Sequence, residues 1–163
     1  MKAFIIAALS ADGYIAHNAH ELTDWTSKED KKLFVELTKR AGVMVMGRST
    51  FDTIGRALPG RKTVVYSSRP VEAEGVEVTQ EPPQQLLARL SAEGYGEVAI
   101  VGGRSIYNQF LEAGVVDELY LTIEPLVLGS GVNLATIPKT MQLKLKELRK
   151  LNDDTVLVRY KVN

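Results

Sequence analysis

Strands alternating with helices, three strand ends carrying glycine, serine or arginine, and a last strand pair joined by a tight turn predict an α/β fold. The architecture expected has three layers: a mostly parallel central sheet, helices on both faces and a C-terminal antiparallel hairpin. The 163 residues suffice for one core, so 1–163 is read as a single domain. At 45% hydrophobic and 25% charged, the composition is that of an ordinary globular protein.

Residues 3–9 are apolar on both faces, as in a strand covered on both sides. Ser10 to Thr26 reads as a long loop, and loops of that length in small domains are usually functional. Either Thr26 with Glu29 or Ser27 with Asp30 can cap a helix whose apolar face is Leu33, Phe34, Leu37 and Ala41, ending at Gly42. Val43 to Met46 is a second strand, and Ser49 or Thr50 then caps a short helix through Ile54-Gly55. Leu58 to Arg61 is a turn, and residues 63–66 and 76–79 are strands. Pro82-Pro83 opens a helix with Leu86, Leu87 and Leu90 inward. Glu97 to Val101 is a buried strand that stops at Gly102-Gly103, after which Ile106, Tyr107, Phe110 and Leu111 recur at helical spacing. A strand is expected from Val115-Val116 to Ile123, then a turn-rich stretch over 125–140. A hairpin over 142–151 and 155–162 turns around Asn152-Asp153-Asp154.

Twenty basic and twenty acidic residues cancel, so no overall charge favours nucleic acid or a membrane surface. Without cysteine there is no disulfide or thiolate metal site, which agrees with a cytoplasmic protein. The two histidines, His17 and His20, both precede the first helix, which argues against a zinc site or a catalytic triad; no metal is expected. The apolar N-terminus reads as a buried strand, because Asp12-Gly13 follows it at once, and no run reaches the length of a membrane span.

Polar residues gather at Gly47-Arg48-Ser49-Thr50, Ser67-Ser68-Arg69 and Gly102-Gly103-Arg104-Ser105. In an open α/β sheet, ligands bind outside the carboxyl ends of the strands. Glycines there let a ligand approach the backbone, helix N-termini attract anions, and arginines offer forked donors to phosphate. Each feature also has an ordinary reading: Gly-Gly as a tight turn, each arginine as a surface ion-pair residue. The chain has no Gly-x-Gly-x-x-Gly and no phosphate-binding loop ending in Lys-Ser/Thr, so it is neither an ordinary dinucleotide-binding domain nor an NTPase.

From about residue 4 to about residue 124 the motif order resembles the dihydrofolate reductase family. The resemblance rests on Ile5 to Ile15, on Trp25 to Asp30 with Phe34 four residues on, and on Met46 to Phe51. It continues through Ile54 to Arg61, Val101-Gly102-Gly103 with Tyr107, Gln109 and Phe110, and Leu119 to Thr122. Two segments, Ser10 to Ala16 and Val116 to Gly131, look more like the reductase domain of riboflavin biosynthesis, which shares the superfamily. The Leu-Pro-Gly-Arg segment is a folate-reductase feature. The loop between Ile15 and Trp25 is about two residues longer than in typical bacterial members. Asp24 stands where they commonly have proline, Arg104 where a third glycine is frequent, and Ser105 where a basic residue is common.

The resemblance implies hydride transfer from NADPH to dihydrofolate or a related pterin or pyrimidine. It casts Asp30, Thr122 and Trp25 as catalytic, with Asp24 as a second candidate acid. Ile6, Ala7, Phe34, Ile54 and Arg61 would bind substrate, Arg61 pairing with the glutamate carboxylate of folate. Ala8, Ile15, Gly47, Arg48, Ser49, Thr50, Ser67, Ser68, Arg69, Val101, Gly102, Gly103, Arg104, Ser105, Ile106 and Tyr107 would hold the cofactor. Ordinary readings stand beside these: Asp30 as a helix-capping acid, Phe34 and Ile54 as core, Thr122 as a strand former, Tyr107 as packing on the sheet. A riboflavin-pathway-type reductase and a non-catalytic nucleotide-binding protein remain alternatives, and the protein is expected to be a monomer or homodimer.

Overall fold

The computed structural model describes residues 1–21 and 23–163. In chain order its elements are β1 (Lys2–Ser10), β2 (Tyr14–Ala16), α1 (Lys28–Ala41), β3 (Val43–Gly47), α2 (Arg48–Ile54), β4 (Lys62–Tyr66) and β5 (Val76–Thr79). Then come α3 (Pro83–Ala92), β6 (Glu97–Gly102), α4 (Arg104–Glu112), β7 (Glu118–Glu124), β8 (Val132–Asn133), β9 (Leu143–Lys150) and β10 (Val156–Val162). Eight strands form one sheet in the order β5-β4-β3-β6-β1-β7-β10-β9. The pairings from β5 across to β7 are all parallel, and β10 joins β7 and β9 antiparallel.

The period of two along β1 divides the core. Ala3, Ile5, Ala7 and Leu9 pack with Leu86 and Leu90 of α3 and with Ile106 and Phe110 of α4, whereas Phe4 and Ile6 meet Leu33 and Leu37 of α1. Both faces are covered, which is why the central strands carry unbroken apolar runs. Of the two caps open in the sequence, Ser27 is the one used. Its hydroxyl accepts the Asp30 N–H at 3.1 Å, while Lys39 and Arg40 complement the dipole at the other end of α1.

Three expectations need correction. Helix α2 starts at Arg48 behind Gly47, with no side-chain cap, so Ser49 and Thr50 lie inside its first turn instead of capping it. The long loop and the turn-rich stretch each contain a short strand: β2 and β8 pair antiparallel, Tyr14 opposite Asn133 and Ala16 opposite Val132. Strands of two or three residues are too short to show a period. Gly131 makes the pairing possible, because a Cβ at φ +146° would lie 2.2 Å from the Ala16 carbonyl oxygen. The strand expected from Val115-Val116 begins at Glu118 instead. Val115 and Val116 are apolar because they pack on the core from the irregular stretch that leads into β7. Asp117 then fixes the chain, its carboxylate accepting the Ala3 N–H at 2.8 Å and its own N–H donating to the Ala3 carbonyl at 2.8 Å.

Phe110 is fully buried and meets Tyr66 edge-on at 5.9 Å. Truncating it leaves a cavity beneath the middle of the sheet. Phe110→Ala is expected to lower unfolding stability by about 3–5 kcal/mol, read from denaturant melts at constant m-value.

Candidate active site

A cleft of ≈ 1330 Å³ opens at the carboxyl ends of β1, β3, β4, β5 and β6. Every residue assigned to substrate or cofactor from the sequence lines it. Ile6 and Ala7 of β1, Asp30 and Phe34 of α1, Ile54 of α2 and Arg61 share it with Ala8 and Ile15. The three polar strand ends, Gly47 to Thr50, Ser67 to Arg69 and Val101 to Tyr107, form much of the rest of the wall. Trp25, Thr122 and Asp24 do not line it. Thr122 is buried in β7 beside the Asp30 carboxyl. Trp25 lines a shallower neighbouring cleft with Ser27 and Glu124, its indole N–H buried without a partner among the described residues. Asp24 is exposed.

Asp30 is 8% exposed at the first turn of α1. Burial raises its proton affinity, and the nearby charge of Glu124 adds to that; the Thr122 hydroxyl, as a hydrogen-bond donor, and Lys31 oppose it. Tyr107 donates from its buried hydroxyl to the Ile6 carbonyl at 2.9 Å, tying α4 to β1 beside the acid. Its hydroxyl is held protonated by burial and further by Asp30. Tyr107 is thus both a packing residue on the sheet and part of the cleft wall.

Arg61 donates to the Thr38 hydroxyl at 3.1 Å and to the Pro59 carbonyl at 3.0 Å, and meets no carboxylate among the described residues. Burial works against its charge, yet a guanidinium stays protonated. Arg48 reaches from the start of α2 to the Ser67 hydroxyl at 3.2 Å and the Pro70 carbonyl at 3.3 Å, and pairs with Asp52 at 3.1 Å. Two strand ends are thereby held together by one side chain. Arg104 donates to the Asn133 side chain at 2.9 Å, linking α4 to β8.

The donor set fits a phosphate-bearing cofactor. Helices α2 and α4 both begin at the cleft behind a glycine, Gly47 and Gly103, with no side-chain cap to satisfy their first N–H groups. A Cβ at Gly102 would press to 3.3 Å from the Tyr107 hydroxyl and 3.5 Å from Thr50 Oγ1, and one at Gly47 to 3.0 Å from Ile106. The backbone therefore approaches the cleft where a side chain could not. The peptide between Gly102 and Gly103 is cis. Among the described residues, no group of three or more histidines or carboxylates is placed to hold a metal, and no helix is long and apolar enough to cross a membrane.

Sequence reasoning missed part of the wall. Thr79 and Gln80 lie at a fourth strand end, that of β5, where the rule applied to the other three would have found them. Lys31 and Arg56 also face the cleft, inside segments already singled out for their neighbours. Glu124, at the end of β7, sets a charge near Asp30; a lone glutamate before proline gives no signal by itself in the sequence.

Fold and cleft together define an α/β protein with a ligand-binding cleft at its strand ends, suited to a phosphate-bearing small molecule. Residues 2–142 match the family model for dihydrofolate reductase, and the chain belongs to that family. It is 40% identical over 119 residues to the dihydrofolate reductase type 3 of Salmonella typhimurium, covering 72% of this chain and 68% of that one. Among solved structures it is similar to the dihydrofolate reductase of Enterococcus faecalis complexed with NADP(H), with TM-score 0.75, 27% identity, and coverage of 99% of this chain and 96% of that one. The fold also matches a structure described as a riboflavin biosynthesis protein of Shewanella sp. PV-4, with TM-score 0.82, 24% identity, and coverage of 100% and 99%.

Asp30→Asn tests the electrostatics apart from any activity. A carboxyl whose folded proton affinity is raised above its ordinary value of 3.8 contributes most below that value and loses its contribution as pH rises through the folded midpoint. The variant should therefore match the parent near pH 4 and gain in unfolding midpoint relative to it toward pH 8. An equal difference at both pH values would mean the carboxyl is not held this way.

Proposed function

We propose that the chain reduces 7,8-dihydrofolate to tetrahydrofolate: dihydrofolate + NADPH + H⁺ gives tetrahydrofolate + NADP⁺. What carries this reading is one cleft holding both a buried carboxyl, Asp30, and a guanidinium, Arg61, that meets no carboxylate among the described residues. Bound NADPH supplies the hydride. The chain contributes orientation and electrostatics, which is most of what such a transfer needs. Asp30 takes the amino and ring N–H groups of the pterin, and its raised proton affinity suits a group that favours a proton at the adjacent ring nitrogen. Thr122, buried beside it, restrains the carboxyl. Phe34 and Ile54 offer apolar surface to the aminobenzoyl part, and Arg61 pairs with the glutamate carboxylate. Arg48, Ser49 and Thr50 with Gly102 to Ser105 take the pyrophosphate, while Ser67, Ser68 and Arg69 meet the adenosine 2′-phosphate, which favours NADPH over NADH. Asp24, exposed and outside the cleft, takes no part, and Trp25 supports the turn before α1. The reading places the protein in the cytoplasm.

A second reading, reduction of an aminopyrimidine bearing a ribosyl phosphate, draws on the segment Pro125 to Gly131. An assay of NADPH oxidation with dihydrofolate and with that aminopyrimidine, side by side, decides between the two; no turnover with dihydrofolate would sink the first. In the dihydrofolate assay, Asp30→Asn should cost about 10²–10⁴-fold in rate. Arg61→Ala should raise KM for dihydrofolate roughly 10–100-fold, the worth of one charge-assisted pair, and leave NADPH binding near its starting value.

A further inference from the structure

Glu124 is 2% exposed at the last position of β7, where a carboxylate is a costly choice for a strand end. Its Oε1 accepts from the Ser27 backbone N–H at 3.1 Å and from the Ser27 hydroxyl at 2.8 Å. The same hydroxyl oxygen accepts the Asp30 N–H at 3.1 Å, so an unbroken run of hydrogen bonds joins Glu124 to the backbone of the buried acid. On its other side, Glu124 Oε2 accepts from Thr155 at 3.5 Å, and Asn152 of the same hairpin turn donates to Glu29 at 3.2 Å. The C-terminal hairpin thus braces the first turn of α1 through Glu124.

An anchor alone would not need a charge, since an amide carbonyl could accept both Ser27 donors. We propose that Glu124 is a positioning residue for Asp30: through Ser27 it fixes the turn that carries the acid, and it sets a second negative charge beside that turn. The inference rests on the reading of Asp30 as the site's acid. Burial does most to raise the proton affinity of Asp30, and Glu124 reinforces it. The other groups that bear on Asp30 are the Lys31 ammonium, the Thr122 hydroxyl and the Tyr107 hydroxyl. Glu124 itself faces Ser27, Thr155 and Ser10 opposite it on β1, and shares its shallow cleft with Trp25, Asn152, Asp153 and Asp154. Lys31 is the one cation among these groups, so the balance around the pair is negative.

The test is a titration of the Asp30 carboxyl by carbon-13 NMR in protein without ligands, its resonance assigned by Asp30→Asn. Glu124→Gln keeps the acceptor for Ser27 and removes the charge; the Asp30 midpoint should move to lower pH, with the alkaline limb of the rate profile following it. An unmoved midpoint would overturn the proposal even if dihydrofolate is turned over. A lowered midpoint upholds it even if another substrate proves to be the right one. Should Glu124→Gln not fold, the Asp30 and Glu124 carboxyl resonances of the parent are titrated together: a step in each at the other's midpoint upholds the proposal, and single independent steps overturn it.

Discussion

The position of β6 governs where everything else can lie. It is inserted between β3 and β1, parallel to both, although the chain builds β3, β4 and β5 before it arrives. A parallel strand entering there needs a crossover on each side, so α3 leads in and α4 leads out over one face while α1 and α2 hold the other. The pairing of β6 with β3 slips just before the strand ends: Val45 faces Ile100, but Met46 faces Gly102. That irregularity turns the chain out of the sheet at the two glycines, as bulges near ligand sites commonly do. Gly102, Gly47 and the start of α4 then meet at one place, and Tyr107 locks α4 back onto β1 through the Ile6 carbonyl.

The features legible in the sequence were those with a period or a terminator. The apolar run of β1, the helical spacing of Leu33, Leu37 and Ala41, and the abrupt stops at Gly47, Ser67 and Gly102 each follow from local physics. They located the cleft wall because, in a parallel sheet, strand ends of like direction share an edge. The β2–β8 pair was not legible, because a pairing more than a hundred residues apart and two residues long leaves no trace in either segment. Glu124 was hidden for a related reason. Its partners come from the start of α1, which carries Ser27 and Asp30, and from the turn between β9 and β10, which carries Thr155, and only tertiary structure sums them.

The acid is held in tension. Burial under α1 and the charge at the end of β7 push Asp30 toward its protonated form, while the Thr122 hydroxyl and Lys31 pull toward the carboxylate. A carboxyl poised this way answers to a change in its surroundings, and a ligand carrying N–H donors into the cleft is such a change. By contrast, the ion pairs of Arg89 with Glu77, Glu81 and Glu93 lie at the sheet edge, partly exposed and far from this balance. They are worth little individually and tie α3 to the edge strand β5 and the segment after it.

The segment Pro125 to Gly131, where the chain looks least like a folate reductase, has a structural task of its own. Asp12 receives the Ser10 hydroxyl at 2.6 Å, the Leu128 N–H at 3.1 Å and the Gly129 N–H at 2.8 Å, and these bonds, the Ser10 hydroxyl first, hold its carboxyl below its ordinary range. Gly131 then passes against Ala16, and Val132 pairs with it. Together these contacts fasten the β2 loop, with Ile15, over the cleft. Any reductase on this fold needs that loop held, whether its substrate ends in a glutamate or in a ribosyl phosphate. The segment is therefore accounted for by the loop it carries, and the weight in choosing a substrate shifts to side chains that face the cleft with donors to spare, Arg61 foremost among them.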